Sequence, residues 1–292
     1  MAKILITESV HPIGPELLTA AGHTVVYADR DMDIIRREIV DADAVLVRII
    51  ELPGSLLTTA KNLKIVSKHG VGYDNIDLDY CKSHGIAVTI TPNANSLSVA
   101  EHAFTLMLTL AKNIIPVSNE YRTVGFAAKN HTPGIEMTGK TLGLIGMGRI
   151  GKYVLHMCKD GLDMHVIVYD PYISEVPEGV EKVDDLSELL RRADVVTLHC
   201  LLTDETRKLI DRERLALMKP TALLINCARG PIVDEDALIE ALENGRLAGA
   251  GLDVTAPEPV APDSPLFKLP NVIVTPHYAP TTVESATRVS KI

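Results

Sequence analysis

Three groups of residues have the types and spacings that chemistry needs. In the first, Gly146, Gly148 and Gly151 stand as Gly-x-Gly-x-x-Gly directly after the apolar run TLGLI. Such glycines allow a tight turn, close backbone approach to a pyrophosphate and close helix–sheet packing. Arg149 and Ile150 open the helix that follows, and Ile150, Val154 and Met157 continue its apolar face. A helix starting there turns free N–H groups and a positive dipole end toward phosphates. Asp170 closes the next apolar run, nineteen residues past Gly151. A carboxylate at that distance accepts hydrogen bonds from an adenosine ribose and repels a 2′-phosphate. The glycines alone are weak evidence, and Asp170 alone could be a turn before Pro171. Strand, glycines, helix and acid in this order imply NAD as the cofactor, in preference to NADP.

The second group is Arg229, Glu258 and His277, each just past an apolar run: ALLINC, GAGLDV and NVIVTP. Ligands of α/β folds bind at the carboxyl ends of strands. Ketone reduction, or its reverse, needs a hydride carrier, a proton donor and an oxyanion stabiliser. Histidine supplies a proton near neutral pH, a carboxylate partner favours its charged form, and arginine forks onto a carboxylate or carbonyl. Taken singly, each also reads as a surface salt bridge, a solvated loop charge or an ordinary histidine. His23, His84 and His131 beside turns, and His102 on a helix, are read as structural.

The third group is anion-binding. Val71 and Gly72, within HGVG, can present successive backbone N–H groups as a nest for a substrate carboxylate; a plain glycine-rich turn explains them equally well. Arg48 after AVLV and Lys68 after KIVS end apolar runs and are candidate substrate contacts or solvated charges. Asp74 and Asp77 read as helix caps or flanks. No metal site is assigned.

The elements that must position these residues alternate from end to end. KILIT, a helix near residues 13–21, HTVVY, a helix near 31–40, AVLVR, LKIVS and GIAVTI form one βα series. A long helical pattern over residues 96–112 follows, with Ser98 and Glu101 spaced as a capping box, then a polar stretch over 123–138. A second series contains TLGLIG, MHVIVYD, DVVTLHC, TALLINC, LAGAGLDV and NVIVTPH. The alternation predicts an α/β protein with two doubly wound parallel-sheet domains.

The 292 residues suit about two domains at ~150 residues each. With 46% hydrophobic residues, 4% aromatics and no tryptophan, the chain is aliphatic in the manner of buried parallel strands. A net charge of −9 argues against a nucleic-acid or anionic-membrane partner. Cys81, Cys158, Cys200 and Cys227 form no paired motif and, with no signal-like start, read as reduced thiols of a cytoplasmic protein. The most apolar helical stretch, residues 103–111, falls well short of the ~20 residues of a membrane span.

Seven stretches, HGVGYDNID, NSLSVAEH, GKTLGLIGMGRIGKYV, YDPY, NCARGPIVDEDALIEAL, GAGLDVTAPEPV and NVIVTPH, run in order from about residue 66 to 280. Through them the chain resembles the NAD-dependent D-isomer-specific 2-hydroxyacid dehydrogenases, including phosphoglycerate dehydrogenases and glyoxylate/hydroxypyruvate reductases. The resemblance implies a flavodoxin-like substrate domain (residues 1–95 with 277–292), a Rossmann NAD-binding domain (96–276) and a cleft between them. It makes His277 the acid/base, Glu258 its partner and Arg229 the substrate-orienting group. It lays Cys227, Ala228 and Asp253 along the nicotinamide half of the cofactor, favours the anion role for Val71 and Gly72, and implies a homodimer. Leu201 and Phe126 depart from it, standing where relatives often carry proline and tryptophan. The fifteen residues after His277 are fewer than the family's usual returning segment. The reaction implied is hydride transfer between NAD(H) and a small D-2-hydroxy or 2-oxo acid. An NAD(H)-sensing protein of the same fold without turnover is the competing reading; it does not require Arg229, Glu258 and His277 together. A formate dehydrogenase-like enzyme is a third, against which Glu258 speaks, because a glutamine typically stands there.

Overall fold

The computed structural model describes residues 1–292, which form two compact units: residues 1–96 with 280–292, and residues 97–279. The strands are β1 (Lys3–Ile6), β2 (Thr24–Tyr27), β3 (Ala44–Val47), β4 (Ile65–Lys68), β5 (Ala87–Thr89), β6 (Thr141–Ile145), β7 (His165–Tyr169), β8 (Val180–Lys182), β9 (Val195–Leu198), β10 (Leu223–Asn226), β11 (Gly249–Leu252) and β12 (Val272–Val274). The helices are α1 (Ile13–Ala20), α2 (Met32–Glu38), α3 (Gly54–Leu57), α4 (Leu78–Ser83), α5 (Ser96–Ala111), α6 (Ile114–Val124), α7 (Arg149–Leu162), α8 (Leu186–Arg192), α9 (Arg212–Leu217), α10 (Glu235–Glu243) and α11 (Val283–Lys291). None is long and apolar enough to cross a membrane.

The first unit is a parallel sheet in the order β2-β1-β3-β4-β5, the doubly wound order of flavodoxin-like folds. Leu5, Val45, Val47 and Val66 are wholly buried in its core with Ile35 and Ile39. Asp31 and Asp77 cap α2 and α4, Asp77 by accepting from Tyr80 N at 2.9 Å. The last helix, α11, belongs here: its Ser290 Oγ lies 3.1 Å from His69 Nε2, and Arg288 Nε donates to Ala94 O at 2.8 Å.

The second unit is a seven-stranded parallel sheet in the order β12-β11-β10-β9-β6-β7-β8. The chain enters at β6, winds outward to β8, then crosses back to β9 and on to β12, so the order reverses beside β6. Residues of β9, β10 and β11 are buried on both faces, which explains their unbroken aliphatic runs. Gly251 lets α5 lie close on β11, since a Cβ there would meet Leu106 Cβ at 3.0 Å.

Four local readings change. Ser98 is inside α5, which begins at Ser96, so the expected capping box at Ser98 and Glu101 is not the helix start. A second helix, α6, follows α5 after Asn113 turns left-handed (φ 50°), which occupies part of the connection ahead of the polar stretch. The three-residue edge strand β8 has too little alternation to be read from VEK. His277, Tyr278 and Ala279 stay with the second unit, where the expected boundary put them in the first; their N–H groups bond to Asp253.

Candidate active site

The glycine turn is built as its three glycines dictate. Gly146 sits at φ 89°, and a Cβ there would come within 2.8 Å of the His199 and Cys200 backbone. A Cβ at Gly151 would collide with the Gly146 carbonyl, so only glycine brings α7 this close to the turn. Gly148, the residue before α7, has nothing within 4 Å of where a Cβ would stand. That open flank and the free N–H groups of the fourteen-residue α7 make the cradle a dinucleotide pyrophosphate requires. Arg149 is exposed, while Ile150 packs on the core. Asp170, at the end of β7, accepts from Met147 N at 2.9 Å and Tyr172 N at 3.0 Å. Each carboxylate oxygen keeps a second lone pair for a ribose hydroxyl.

Arg229, Glu258 and His277 follow β10, β11 and β12, three adjacent parallel strands in register. All three therefore emerge at one edge of one sheet. The buried Asn226 shapes the first loop: its Nδ2 donates to Arg229 O at 2.9 Å, and its Oδ1 accepts from Ala228 N at 3.0 Å. Arg229 Nη1 donates to Ala228 O at 2.8 Å. Gly230 then passes against the Thr255 carbonyl, on which any Cβ would collide. The loop carrying Glu258 is held by Glu235 of α10, which accepts from Ala256 N at 2.9 Å and whose carboxyl is raised by burial.

His277 Nδ1 donates to Glu258 Oε1 at 2.6 Å. The histidine backbone is left-handed (φ 51°), uncommon for a non-glycine residue and frequent at functional sites. Its N–H bonds to Asp253 O at 2.8 Å and Thr275 O at 3.0 Å. With Nδ1 engaged, Nε2 is the ring nitrogen left to carry a transferable proton.

Residues 104–279 match the family model described as D-isomer specific 2-hydroxyacid dehydrogenase, NAD binding domain. The chain belongs to the D-isomer specific 2-hydroxyacid dehydrogenase family. It is 44% identical over 289 residues to a D-3-phosphoglycerate dehydrogenase of Methanocaldococcus jannaschii, covering 98% of this chain and 55% of that protein. It is 37% identical over 305 residues to a glyoxylate reductase of Thermofilum pendens, covering 99% and 88%. The D-lactate dehydrogenase of Aquifex aeolicus, solved with NAD and lactic acid, superposes with a TM-score of 0.88 at 34% identity, covering 99% and 92%. The chain spans about half the length of the phosphoglycerate dehydrogenases it matches.

Within this 2-hydroxyacid dehydrogenase fold, two of the expected site residues are engaged with the protein itself. Asp253, expected along the nicotinamide, is 1% exposed and engaged in structure: it accepts from Thr275 Oγ1 at 2.6 Å, Tyr278 N at 2.7 Å and Ala279 N at 2.9 Å. Lys68, offered as a substrate contact, is buried with its ammonium on Arg48 O and Asn75 Oδ1. A strand-end lysine looks the same in sequence whether it points to solvent or inward. Arg48 is half-buried and donates to Ser9 O at 2.9 Å. Val71 and Gly72 donate to no main-chain carbonyl. Cys227 is buried among apolar side chains, which pushes its thiol well up and keeps it protonated; Ala228 is half-buried beside it. Asn226, Glu235 and Thr275 escaped the sequence reading: Asn226 bonds within its own loop, inside an aliphatic run that gives no sign of it, and the partners of Glu235 and Thr275 lie on other elements.

Proposed function

We propose that this chain carries the NAD-dependent dehydrogenase activity of its family, interconverting a small D-2-hydroxy acid and its 2-oxo acid. The observation that carries the proposal is the His277–Glu258 hydrogen bond at one edge of the sheet that also ends in the glycine turn. The glycine turn, Arg149, Ile150 and Asp170 fit NAD, and the bound NADH supplies the hydride. Arg229 binds the carboxylate or carbonyl of the 2-oxo acid through its planar guanidinium. His277, protonated at Nε2 and steadied by Glu258 at Nδ1, gives a proton to the oxygen as it becomes a hydroxyl; in oxidation it takes that proton back. In the first unit, Val71 and Gly72 offer their N–H groups to a carboxylate.

The chain is assigned a homodimer and a cytoplasmic setting. The first is supported by α6, which buries none of its residues and exposes Ile114, Ile115, Tyr121 and Val124, with Phe126 just beyond. The second is supported by four thiols without disulfide partners. The test is NADH oxidation with glyoxylate, hydroxypyruvate, pyruvate and 3-phosphohydroxypyruvate. Turnover of at least one acid, abolished by His277→Ala, is expected; NADH binding without turnover of any of them removes the proposal and favours a cofactor-sensing role.

A further inference from the structure

Behind His277 lies a polar network that the proposed reaction does not use directly. His102, on α5, places Nε2 3.0 Å from Thr275 Oγ1 and 3.4 Å from Asp253 Oδ1. Thr275 Oγ1 lies 2.6 Å from the same Asp253 oxygen. The protons can be assigned by elimination. Both Asp253 oxygens already accept backbone N–H groups, so the carboxylate serves as an acceptor here and the single hydroxyl proton of Thr275 goes to it. The Thr275 oxygen is then an acceptor for His102, and Nε2 must carry the proton. The chain of donation runs His102 to Thr275 to Asp253. Asp253 in turn accepts the N–H groups of Tyr278 and Ala279 through its side chain and that of His277 through its carbonyl. The network thus grips the backbone on either side of the left-handed His277.

Packing keeps His102 in place. Its ring is 17% exposed and meets the Tyr278 ring edge-on, with centroids 6.1 Å apart. Its helix is seated on β11 at Gly251, two residues before Asp253. His102→Leu would leave the Thr275 oxygen short of its donor in a partly buried setting, which favours rearrangement of the loop.

Resting on the dehydrogenase reading above, we propose that His102 is a positioning residue for proton transfer: through Thr275 and Asp253 it holds the 275–279 segment so that His277 keeps its backbone twist and its bond to Glu258. The requirement is for a donor at Nε2, not for a charge, so glutamine should substitute and leucine should not.

The experiment compares wild type, His102→Gln, His102→Leu and Thr275→Val with NADH and the best acid of the panel. The expected result is a kcat at least tenfold lower in His102→Leu and Thr275→Val, with the KM for NADH within threefold of wild type. His102→Gln should recover at least a third of the wild-type kcat. A His102→Leu kcat within twofold of wild type, or a His102→Gln no better than His102→Leu, overturns the proposal. If His102→Leu does not fold, Thr275→Val decides by the same criteria. Amide exchange of Tyr278 and Ala279, read by NMR, needs no turnover and therefore separates this inference from the functional one. Exchange at least tenfold faster in the leucine or valine variant than in wild type and the glutamine variant is expected; equal rates overturn the proposal even in an enzyme whose substrate is unknown.

Discussion

At the residue scale, the roles proposed for the His277–Glu258 pair and for Asp170 can be measured separately. General acid catalysis is worth about 10²–10⁴-fold, so His277→Ala is expected to lower kcat about 10³-fold while NADH titration by fluorescence gives a Kd within threefold of wild type. A comparable loss of NADH affinity would remove His277 from proton transfer. In the proposed reading Asp170 acts by charge. A carboxylate ~4 Å from a 2′-phosphate costs one to a few kcal/mol in partly screened surroundings. Asp170→Ala should therefore raise the ratio of kcat/KM for NADPH over NADH about tenfold, and an unchanged ratio would take the ribose role away. Two other histidines act on stability. Burial holds His199 down to about 3, and burial with the nearby Arg48 charge holds His69 down to about 4, both from 6.5. Below pH 6.5 the unfolded chain binds protons at these sites that the folded chain refuses, so unfolding takes up protons and stability falls as pH drops from 6.5 toward 4. Above 6.5 both are neutral in either state and this dependence vanishes. His199, whose Nδ1 is buried without a hydrogen-bond partner, accounts for on the order of a few kcal/mol of it. Melting temperatures between pH 7.5 and 4.5 should decline less steeply in His199→Gln than in wild type; parallel declines would exclude His199 as a source.

At the scale of elements, the site depends on two close backbone contacts as much as on its charged side chains. Gly151 lets α7 approach the Gly146 turn, and Gly230 lets the Arg229 loop pass the Thr255 carbonyl on the loop that carries Glu258. Gly230→Ala must push these two loops apart, because the obstacle is backbone and cannot rotate away. Its expected effect is a kcat at least tenfold lower together with a reduced melting temperature, in line with the 1–3 kcal/mol that overpacking generally costs. Wild-type kcat in that variant would mean that the spacing of the Arg229 and Glu258 loops is immaterial. Parallel strands β10, β11 and β12 explain why three residues so far apart in sequence share an edge: each strand runs the same way, so each following loop appears on the same side.

At the scale of the whole molecule, the chain carries a net charge of −9 yet is assigned an anionic cofactor and an anionic substrate. In the proposed reading local groups oppose that charge: the N–H groups of α7, the guanidinium of Arg229 and the Val71–Gly72 turn. A different surface is the one proposed for oligomerisation. The apolar residues of α6 form an exposed patch of the kind that marks interaction sites. Light scattering is expected to give twice the chain mass of 31.7 kDa, and Ile115→Glu combined with Tyr121→Glu to give the single-chain mass. A wild-type protein at single-chain mass would assign that patch to something other than a second copy.

The sequence by itself determined the two parallel α/β sheets, the glycine turn with its helix and acid, and the candidate trio Arg229, Glu258 and His277. These features are local: aliphatic runs, glycine spacing and loop punctuation act over a few residues, so they are visible along the chain. Only the tertiary structure decided that Lys68 turns inward to Asn75, that Asp253 is engaged with the 275–279 segment, and that His102 stands behind His277. A buried polar group must find its partner wherever the packing brings one. For Asp253 the partners lie more than twenty residues along the chain, and for His102 the partner is Thr275 across the fold, separations at which sequence pattern carries no signal.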